Sequence, residues 1–387
     1  MRFVLPQRQA RRFDVYGELY DCIVLCALHA HSERRPMKVE QLKDNGEEVR
    51  LRVSASAAEM TKAFTDGLDA FVVQYQMDQL EGETSLEKIN NALGEEDGKA
   101  AVYNAVINYL VPFALEKQGT MPVSTYGIES EETPEPDKMF SFDMTVLVKP
   151  EFELSSYKPV KVEIEPKPEV NEADIDEQMG MLVRQFAAAQ QGVQPDDASL
   201  QVPEVTDEWV AENMKPMGLT TVAELRERFR ATSEEELANR YEQAKMAAAM
   251  DEYAKRFEGE ISAKMIEVMT QELYETFLAQ LSQEGMTLDA FYAQQHLAEE
   301  EVRANLATQA KMQLLQGFIL DAIFRHEALK LEPGDMIAAM RNIAPGREEE
   351  AFEAMQKSGR STLLKEGASR MKAAGWIMAN TEFIVAE

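Results

Sequence analysis

Cysteine, histidine and tryptophan are scarce in this sequence, and their scarcity excludes several kinds of site. The 387 residues include two cysteines, Cys22 and Cys26, two tryptophans and four histidines. Two cysteines cannot form a disulfide framework or a cysteine-rich zinc site. His296 and His326 lie on separate helical patterns, where a lone histidine is more often an ordinary surface or core residue than a ligand. We therefore expect no metal and no cofactor.

Long apolar runs and net positive charge are also missing. No run approaches the ~18–20 apolar residues that a membrane-spanning helix needs. The chain has 69 acidic residues against 40 lysines and arginines, which gives a formal net charge of −29. A field of this sign repels nucleic acid phosphates and anionic lipids. We expect a soluble protein that binds neither nucleic acid nor membrane, with an acidity that mainly serves solubility.

The first 36 residues differ in composition from the rest of the chain. They contain both cysteines and six arginines but no lysine. Their apolar stretch Cys22–Leu28 is short and follows acidic residues, among them Glu18 and Asp21, where a signal peptide would carry positive charge. Two interpretations stay open: translation begins at Met37, or residues 1–36 are a disordered tail.

Alternating apolar and polar residues predict strands in the first part of the chain. The alternation is found at residues 48–54, 139–148 and 160–164. After the first stretch, Ser56 and Glu59 have capping-box spacing at the start of one helix, and a second helix is predicted over residues 99–118. The order strand, helix, helix, strand, strand predicts a compact α+β domain over residues 37–165.

The chain after residue 165 has a helical pattern almost throughout. Asn171 can cap a linker helix over residues 170–190. We expect residues 166–387 to form a helical domain whose main part covers residues 200–387. The predicted fold class is therefore an α+β N-terminal domain followed by a mainly α-helical C-terminal domain, and the chain as a whole is mostly α.

No catalytic motif could be identified in the sequence. Residues Gly94–Ala100 faintly resemble a phosphate-binding loop, but the segment is one residue short, lacks Ser or Thr after Lys99 and carries three acidic residues. Acidic runs such as Glu234–Glu236 and Glu299–Glu301 lie at predicted helix starts, where they complement the helix dipole. We therefore do not expect catalytic residues.

Methionine is abundant in the helical part of the chain. Eleven of the 22 methionines lie between Met246 and Met378. Methionine is flexible and polarizable, and it suits surfaces that accept many apolar partners. The residues that we predict to bind apolar partners are methionines and aromatic residues on these helices: Met250, Met265, Met269, Tyr274, Phe277, Phe291 and Tyr292. The alternative is that these residues pack the cores of their helices.

Three stretches of the chain resemble the trigger factor family of bacterial chaperones. The first is Phe140–Ala187, the second joins Val202–Trp209 to Gly218–Arg226, and the third begins at Met286–Tyr292. These stretches follow one another in the order of the family pattern. The resemblance implies that the helical domain has a body with projecting helical arms around a cradle that binds polypeptides.

Two departures from the family pattern bear on function. The family inserts an isomerase domain of the FKBP type before the helical domain, whereas only Gln190–Gln201 stand at that point here. The ribosome-docking loop of the family is basic, whereas Tyr75–Lys88 carries four acidic residues. We expect no isomerase domain and weak ribosome binding, because carboxylates oppose docking on ribosomal RNA.

The resemblance implies an ATP-independent chaperone that holds unfolded or nascent polypeptides. Such a protein would act in the bacterial cytoplasm without a cofactor, as a monomer or weak dimer, and the family is also associated with protein transport and cell division. The rival interpretation is an assembly or scaffold protein on the same fold that binds one folded partner. Suppression of the aggregation of several unrelated proteins would favour the first interpretation.

Overall fold

The computed structural model describes residues 37–119, 121–130 and 132–386. The strands are β1 Lys38–Asp44, β2 Glu48–Ala55, β3 Pro122–Glu129, β4 Phe140–Val148, β5 Glu153–Leu154, β6 Lys161–Ile164, β7 Phe257–Glu258 and β8 Glu382–Val385. The α-helices are α1 Ala57–Lys62, α2 Leu68–Gln74, α3 Ser85–Leu93, α4 Glu95–Gln118, α5 Glu172–Gln191, α6 Asp207–Asn213, α7 Val222–Ala254, α8 Ala263–Gln283, α9 Leu288–Gln295, α10 Glu299–His326, α11 Pro333–Ala339, α12 Glu348–Lys357 and α13 Ser361–Asn380. No helix in the described ranges is long and apolar enough to cross a bilayer. The interpretations of residues 1–36 concern a part of the chain outside the described residues.

Two compact units make up the described chain. The first contains residues 37–157 and 256–376, and the second contains residues 158–255 and 377–386. The predicted division of the sequence at residue 165 stays a prediction about domains, because the first unit draws on chain from both sides of it.

A four-stranded antiparallel sheet forms part of the first unit, with the strand order β1-β2-β4-β3. Strand β2 has the period of two that the sequence predicts: Val49, Leu51 and Val53 are buried, whereas Arg50 and Arg52 are exposed. The strands predicted at residues 48–54 and 139–148 are present as β2 and β4. The sheet thus offers one apolar side to the helices that follow.

Helices α1 to α4 pack with the sheet in one hydrophobic core. Its members include Leu51, Met60, Val106, Leu110 and Phe142. The predicted capping box begins α1, since the Ser56 N–H donates to the Glu59 carboxylate at 2.8 Å and the Glu59 N–H donates to the Ser56 hydroxyl at 3.4 Å. A π-helical segment, Ala63–Gly67, separates α1 from α2.

The C-terminal helices of the first unit form two further hydrophobic clusters. One cluster joins the end of β4 to α8 and α10 through Leu147, Ile261, Met265, Leu314 and Phe318. The other joins α11, α12 and α13, with Met340, Ala351 and Leu364 among its buried members. Strands β5 and β7 pair antiparallel within the same unit.

The second unit combines helices with a two-stranded parallel sheet. Its core contains Ile175, Met179, Val210, Met214 and Leu225 from α5, α6, α7 and the turn after α6. The strand predicted at residues 160–164 is present as β6, but it pairs with β8 in this unit and not with the four-stranded sheet. The sequence analysis missed β8, because the alternation of one strand does not reveal a partner at the far end of the chain.

Candidate functional site

Two helices of the first unit, α8 and α9, fold back on each other around a tight turn. Ser262 begins α8 by accepting a hydrogen bond from the Met265 N–H at 3.2 Å. After α8, Gly285 has a left-handed φ of +68°, which glycine adopts without steric penalty. The Met286 N–H then donates to the Leu281 carbonyl at 2.8 Å. This turn places α9 against the last turns of α8.

The hairpin encloses an open pocket of about 240 Å³. Its apolar lining residues are Phe277, Leu281, Met286 and Phe291, and its polar lining residues are Gln280, Glu284, Gln294 and Gln295. Small-molecule sites usually have roughly 300–1,000 Å³. The pocket is smaller than that, and its volume suits one or two apolar side chains of a larger ligand.

Aromatic rings cluster in the hairpin, and the contact between Phe277 and Phe291 joins α9 to α8. The Phe277 and Phe291 rings meet edge to face, with centroids 5.0 Å apart and an interplanar angle of 73°. Tyr274 lies 6.3 Å from Phe277, and Tyr292 lies 6.1 Å from Phe291, measured between ring centroids. Such pairs contribute about 0.5–1.5 kcal/mol each beyond the burial of their area. Phe277 and Phe291 nevertheless stay only half-buried, so part of each ring is available to a ligand.

The hairpin also carries two tyrosines, Tyr274 and Tyr292. The Arg303 guanidinium lies 3.8 Å from the centroid of the Tyr274 ring and donates to the Glu299 carboxylate at 3.0 Å. Burial, followed by the neighbouring Tyr274 hydroxyl, raises the pKa of Tyr292 to about 12. Among the described residues that line the pocket, Glu284 is the one acidic side chain. Apart from Glu284, the lining is therefore apolar or carries neutral amides.

The seven predicted client-binding residues do not form one exposed surface. Met250, Met265 and Tyr274 have only 6%, 2% and 7% of their surface exposed. Met265 packs against Leu147 in the core, and Met269 is partly buried against the same cluster. Met250 belongs to the second unit, whereas the other six belong to the first. Met250, Met265 and Tyr274 are thus buried, as in the alternative interpretation, and a role for them in binding clients stays a prediction.

The remaining three predicted residues lie at the pocket. Phe277 and Phe291 line it, and the half-buried Tyr292 contacts Phe291. Their role in binding clients stays a prediction. Leu281 and Met286 also line the pocket but were not predicted from the sequence, although Leu281 follows Phe277 by one helical turn and shares its face. The three lining glutamines carry no periodic signal, so only the folded hairpin identifies them.

Two further segments bear on the predicted losses of function. Helix α5 ends at Gln191 and α6 begins at Asp207, with a loop of isolated turns over residues 192–206. In the segment Tyr75–Lys88, all four acidic side chains are exposed. The Lys88 ammonium donates to the Asp78 carbonyl at 2.7 Å, which helps to fix the conformation of this acidic loop.

Both halves of the chain match family models. Residues 37–182 match a model described as bacterial trigger factor protein, and residues 221–379 match a model described as the C-terminus of bacterial trigger factor protein. Together the two matches cover well over half of the chain. The residues between them include the loop after α5 and the whole of α6.

Individual relatives carry the same description at low identity. A trigger factor from Pelotomaculum thermopropionicum is 22% identical over 373 residues, which covers 74% of this chain and 85% of that protein. A trigger factor from Lysinibacillus sphaericus is 27% identical over 147 residues, 37% of this chain and 33% of that protein. A solved structure described as "Promiscuous Substrate Recognition in Folding and Assembly Activities of the Trigger Factor Chaperone" shares 13% identity and has a TM-score of 0.32. That alignment covers 88% of this chain and 100% of the other.

Proposed function

Because the chain belongs to the trigger factor family, we propose that it is an ATP-independent chaperone that holds unfolded or nascent polypeptides in the cytoplasm. The observation that carries this proposal is the open apolar pocket between α8 and α9. An unfolded chain exposes the apolar side chains that a folded protein buries, and the pocket admits such side chains one or two at a time.

The composition of the pocket suits a ligand of variable sequence. Phe277, Met286 and Phe291 supply apolar area with different shapes, and the flexible methionine can adapt to different side chains. Gln280, Gln294 and Gln295 each carry an amide that both donates and accepts hydrogen bonds. These amides can therefore bind the main chain of any client that places a side chain in the pocket.

A cycle of binding and release at such a site needs no nucleotide. Full burial of one large apolar side chain stabilises a complex by about 1.5–3 kcal/mol, which is weak for a single contact. Several weak contacts of one client raise the overall affinity, and each contact still opens on its own. The net charge of −29 keeps complexes with exposed apolar surface soluble.

We also propose that the isomerase and ribosome-docking activities of the family are weak or lost in this chain. Support for the first loss comes from residues 192–206, which form a loop where an inserted domain would stand. Support for the second comes from the exposed acids Asp78, Glu81 and Glu83 in the loop between α2 and α3, and Glu87 in the first turn of α3. The proposed protein is therefore a holdase whose clients reach it in free solution.

The proposal is tested by light scattering during refolding of three unrelated aggregation-prone proteins, without nucleotide. We expect the purified full chain to suppress the aggregation of all three at a few-fold molar excess. Suppression of none of them would contradict the proposal. Suppression of one alone would favour the rival interpretation, an assembly or scaffold protein with a single partner.

A further inference from the structure

The parallel sheet of the second unit has a free strand edge. Within the described ranges, β6 pairs with β8 and no third strand joins them. The Glu382 N–H donates to the Val160 carbonyl at 2.9 Å, and the same pattern continues along the two strands. Peptide groups alternate in direction along a strand. The main-chain groups of Lys161 and Glu163 therefore point away from β8.

A groove of about 710 Å³ runs beside this free edge. Residues 161–163 of β6 form one side of it. The end of α7 forms the other side, with Ala248, Asp251, Glu252 and the following Lys255. Adjacent strands of a sheet lie about 4.7–4.9 Å apart, so an added strand would occupy the β6 side of the groove.

The charges along the groove have both signs. Lys161 pairs with Glu382 at 2.7 Å, and Lys255 pairs with Glu252 at 2.5 Å. The exposed carboxylates of Glu163 and Asp251 add negative charge between these pairs. Because the groove has both charges, it does not exclude a ligand whose side chains are mainly acidic or mainly basic. The outward main-chain groups of β6 can bind any such ligand.

The size of the edge indicates what occupies it. Four strand residues span about 13 Å, at roughly 3.3 Å per residue. A stable protein dimer buries about 1,200–2,000 Å² in total, far more than so short an edge provides. The edge therefore suits a short extended segment of another chain, and it does not suit a second folded copy of this protein.

We propose that the outer edge of β6 binds an extended segment of an unfolded client as a third strand. This inference rests on the proposed chaperone function and assigns the second unit a client site of its own. Binding by strand addition uses main-chain hydrogen bonds, which every polypeptide except proline can make. The site thus recognises extended main chain, whereas the pocket of the first unit recognises apolar side chains.

The test compares two substitutions of one residue in the full chain. Glu163→Pro removes the outward N–H and leaves the inward groups of Val162 and Ile164 able to pair with β8, since proline is tolerated on edge strands. Glu163→Ala is the matched control, because it removes the carboxylate and keeps the N–H. The probe is a fluorescent nine-residue peptide of alternating threonine and valine with lysine at each end, measured by fluorescence anisotropy.

We expect Glu163→Pro to weaken peptide binding about fivefold to tenfold, and Glu163→Ala to bind within twofold of the unaltered chain. A second measurement uses the unaltered chain and a peptide methylated at alternate main-chain nitrogens, so it does not depend on the folding of any variant. Weaker binding of the methylated peptide supports strand addition. Equal binding of both peptides, or equal binding by both variants, overturns it.

The β8 edge provides a comparison within the same sheet. Val385→Pro removes the corresponding outward N–H of β8, on the side away from β6. If this substitution weakens peptide binding and Glu163→Pro does not, the proposal for β6 is wrong. If the unaltered chain suppresses aggregation but binds both peptides equally, the strand-addition site fails and the proposed function stands. If the chain suppresses no aggregation, the proposed function itself fails.

Discussion

The Lys149 ammonium lies 2.6 Å from the Glu366 carboxylate, and so joins the end of β4 to α13. Lys149 also pairs with Asp321 of α10, and Arg370 bridges Asp321 and Glu366 at 3.0 and 2.7 Å. The side chains of Lys149, Asp321 and Glu366 are 13%, 17% and 13% exposed. This nearly buried network of two cations and two carboxylates ties the sheet of the first unit to its C-terminal helices.

Replacing Lys149 should destabilise the first unit. Lys149→Met leaves two nearly buried carboxylates with one guanidinium, and breaking a buried ion pair costs about 3–5 kcal/mol. The matched control is Lys99→Met, which removes a lysine from an exposed pair with Glu95 and should change the free energy of unfolding by less than ~0.5 kcal/mol. Urea denaturation measures both variants. Equal stability of the two would show that the network contributes nothing.

Asp143 should make the first unit sensitive to acid. Hydrogen bonds from Arg52 at 2.7 and 3.0 Å hold the pKa of Asp143 below its usual range, against the opposing effect of burial. A carboxyl whose pKa is lowered in the folded state stabilises the protein at pH values above its unfolded pKa of about 3.9. This contribution to stability is lost as the pH falls through the folded-state pKa.

The measurement for Asp143 is the free energy of unfolding between pH 7 and pH 3. Asp143→Asn should be less stable than the unaltered chain at pH 7, and the difference should shrink below about pH 4, where the carboxyl of the unaltered chain becomes protonated. The exposed Glu83→Gln serves as the control. A difference between the two chains that is constant across this pH range would contradict the role given to the Arg52 pair.

The chain should not catalyse proline isomerisation. Residues 192–206 form a loop between α5 and α6, and no inserted domain is present there to supply a catalytic cleft. Uncatalysed exchange of a prolyl tetrapeptide takes tens of seconds, so catalysis would be readily seen. We expect the exchange rate with the purified chain to equal the rate in buffer. A several-fold increase would show that another part of the chain carries the activity.

Ribosome binding should be weak even at low salt. Asp78, Glu81 and Glu83 are exposed on the loop between α2 and α3, where they repel ribosomal RNA. Changing these three acids to lysine should increase co-sedimentation with ribosomes. The same change at the exposed run Glu234–Glu236 of α7 is the control for general charge. Stoichiometric co-sedimentation of the unaltered chain would contradict this prediction.

Local features of the fold could be predicted from the sequence, whereas long-range pairings could not. The alternation in β2 and the capping box of Ser56 and Glu59 depend on neighbouring residues, and both are present. The pairing of Lys161 with Glu382 joins distant parts of the chain, and no local pattern contains it. The strand around residue 160 could therefore be predicted, whereas its partner β8 could not.

The candidate site shows the same limit at the level of single side chains. Met265 and Phe277 lie on one helix and are both apolar, but Met265 is buried against Leu147 and Phe277 lines an open pocket. Their different exposure depends on what packs against each face of α8, which helical periodicity does not specify. Gln294 and Gln295 join the pocket only because the turn at Gly285 folds α9 back.

The central claim is that the pocket between α8 and α9 holds clients. Its most direct test uses a double variant that carries both Phe277→Ser and Phe291→Ser. The control is Met312→Ser, which changes a 53% exposed methionine on α10. Each chain is assayed for suppression of aggregation by light scattering, and its melting temperature is measured in parallel. We expect the double variant to need about tenfold more protein for equal suppression, since each ring contributes apolar contact to the client. Its melting temperature should fall by several degrees, because the contact between the two rings also joins α9 to α8, so suppression is compared at a temperature at which every chain is folded. Unchanged suppression by the double variant, or a loss of suppression matched by Met312→Ser, would contradict the claim.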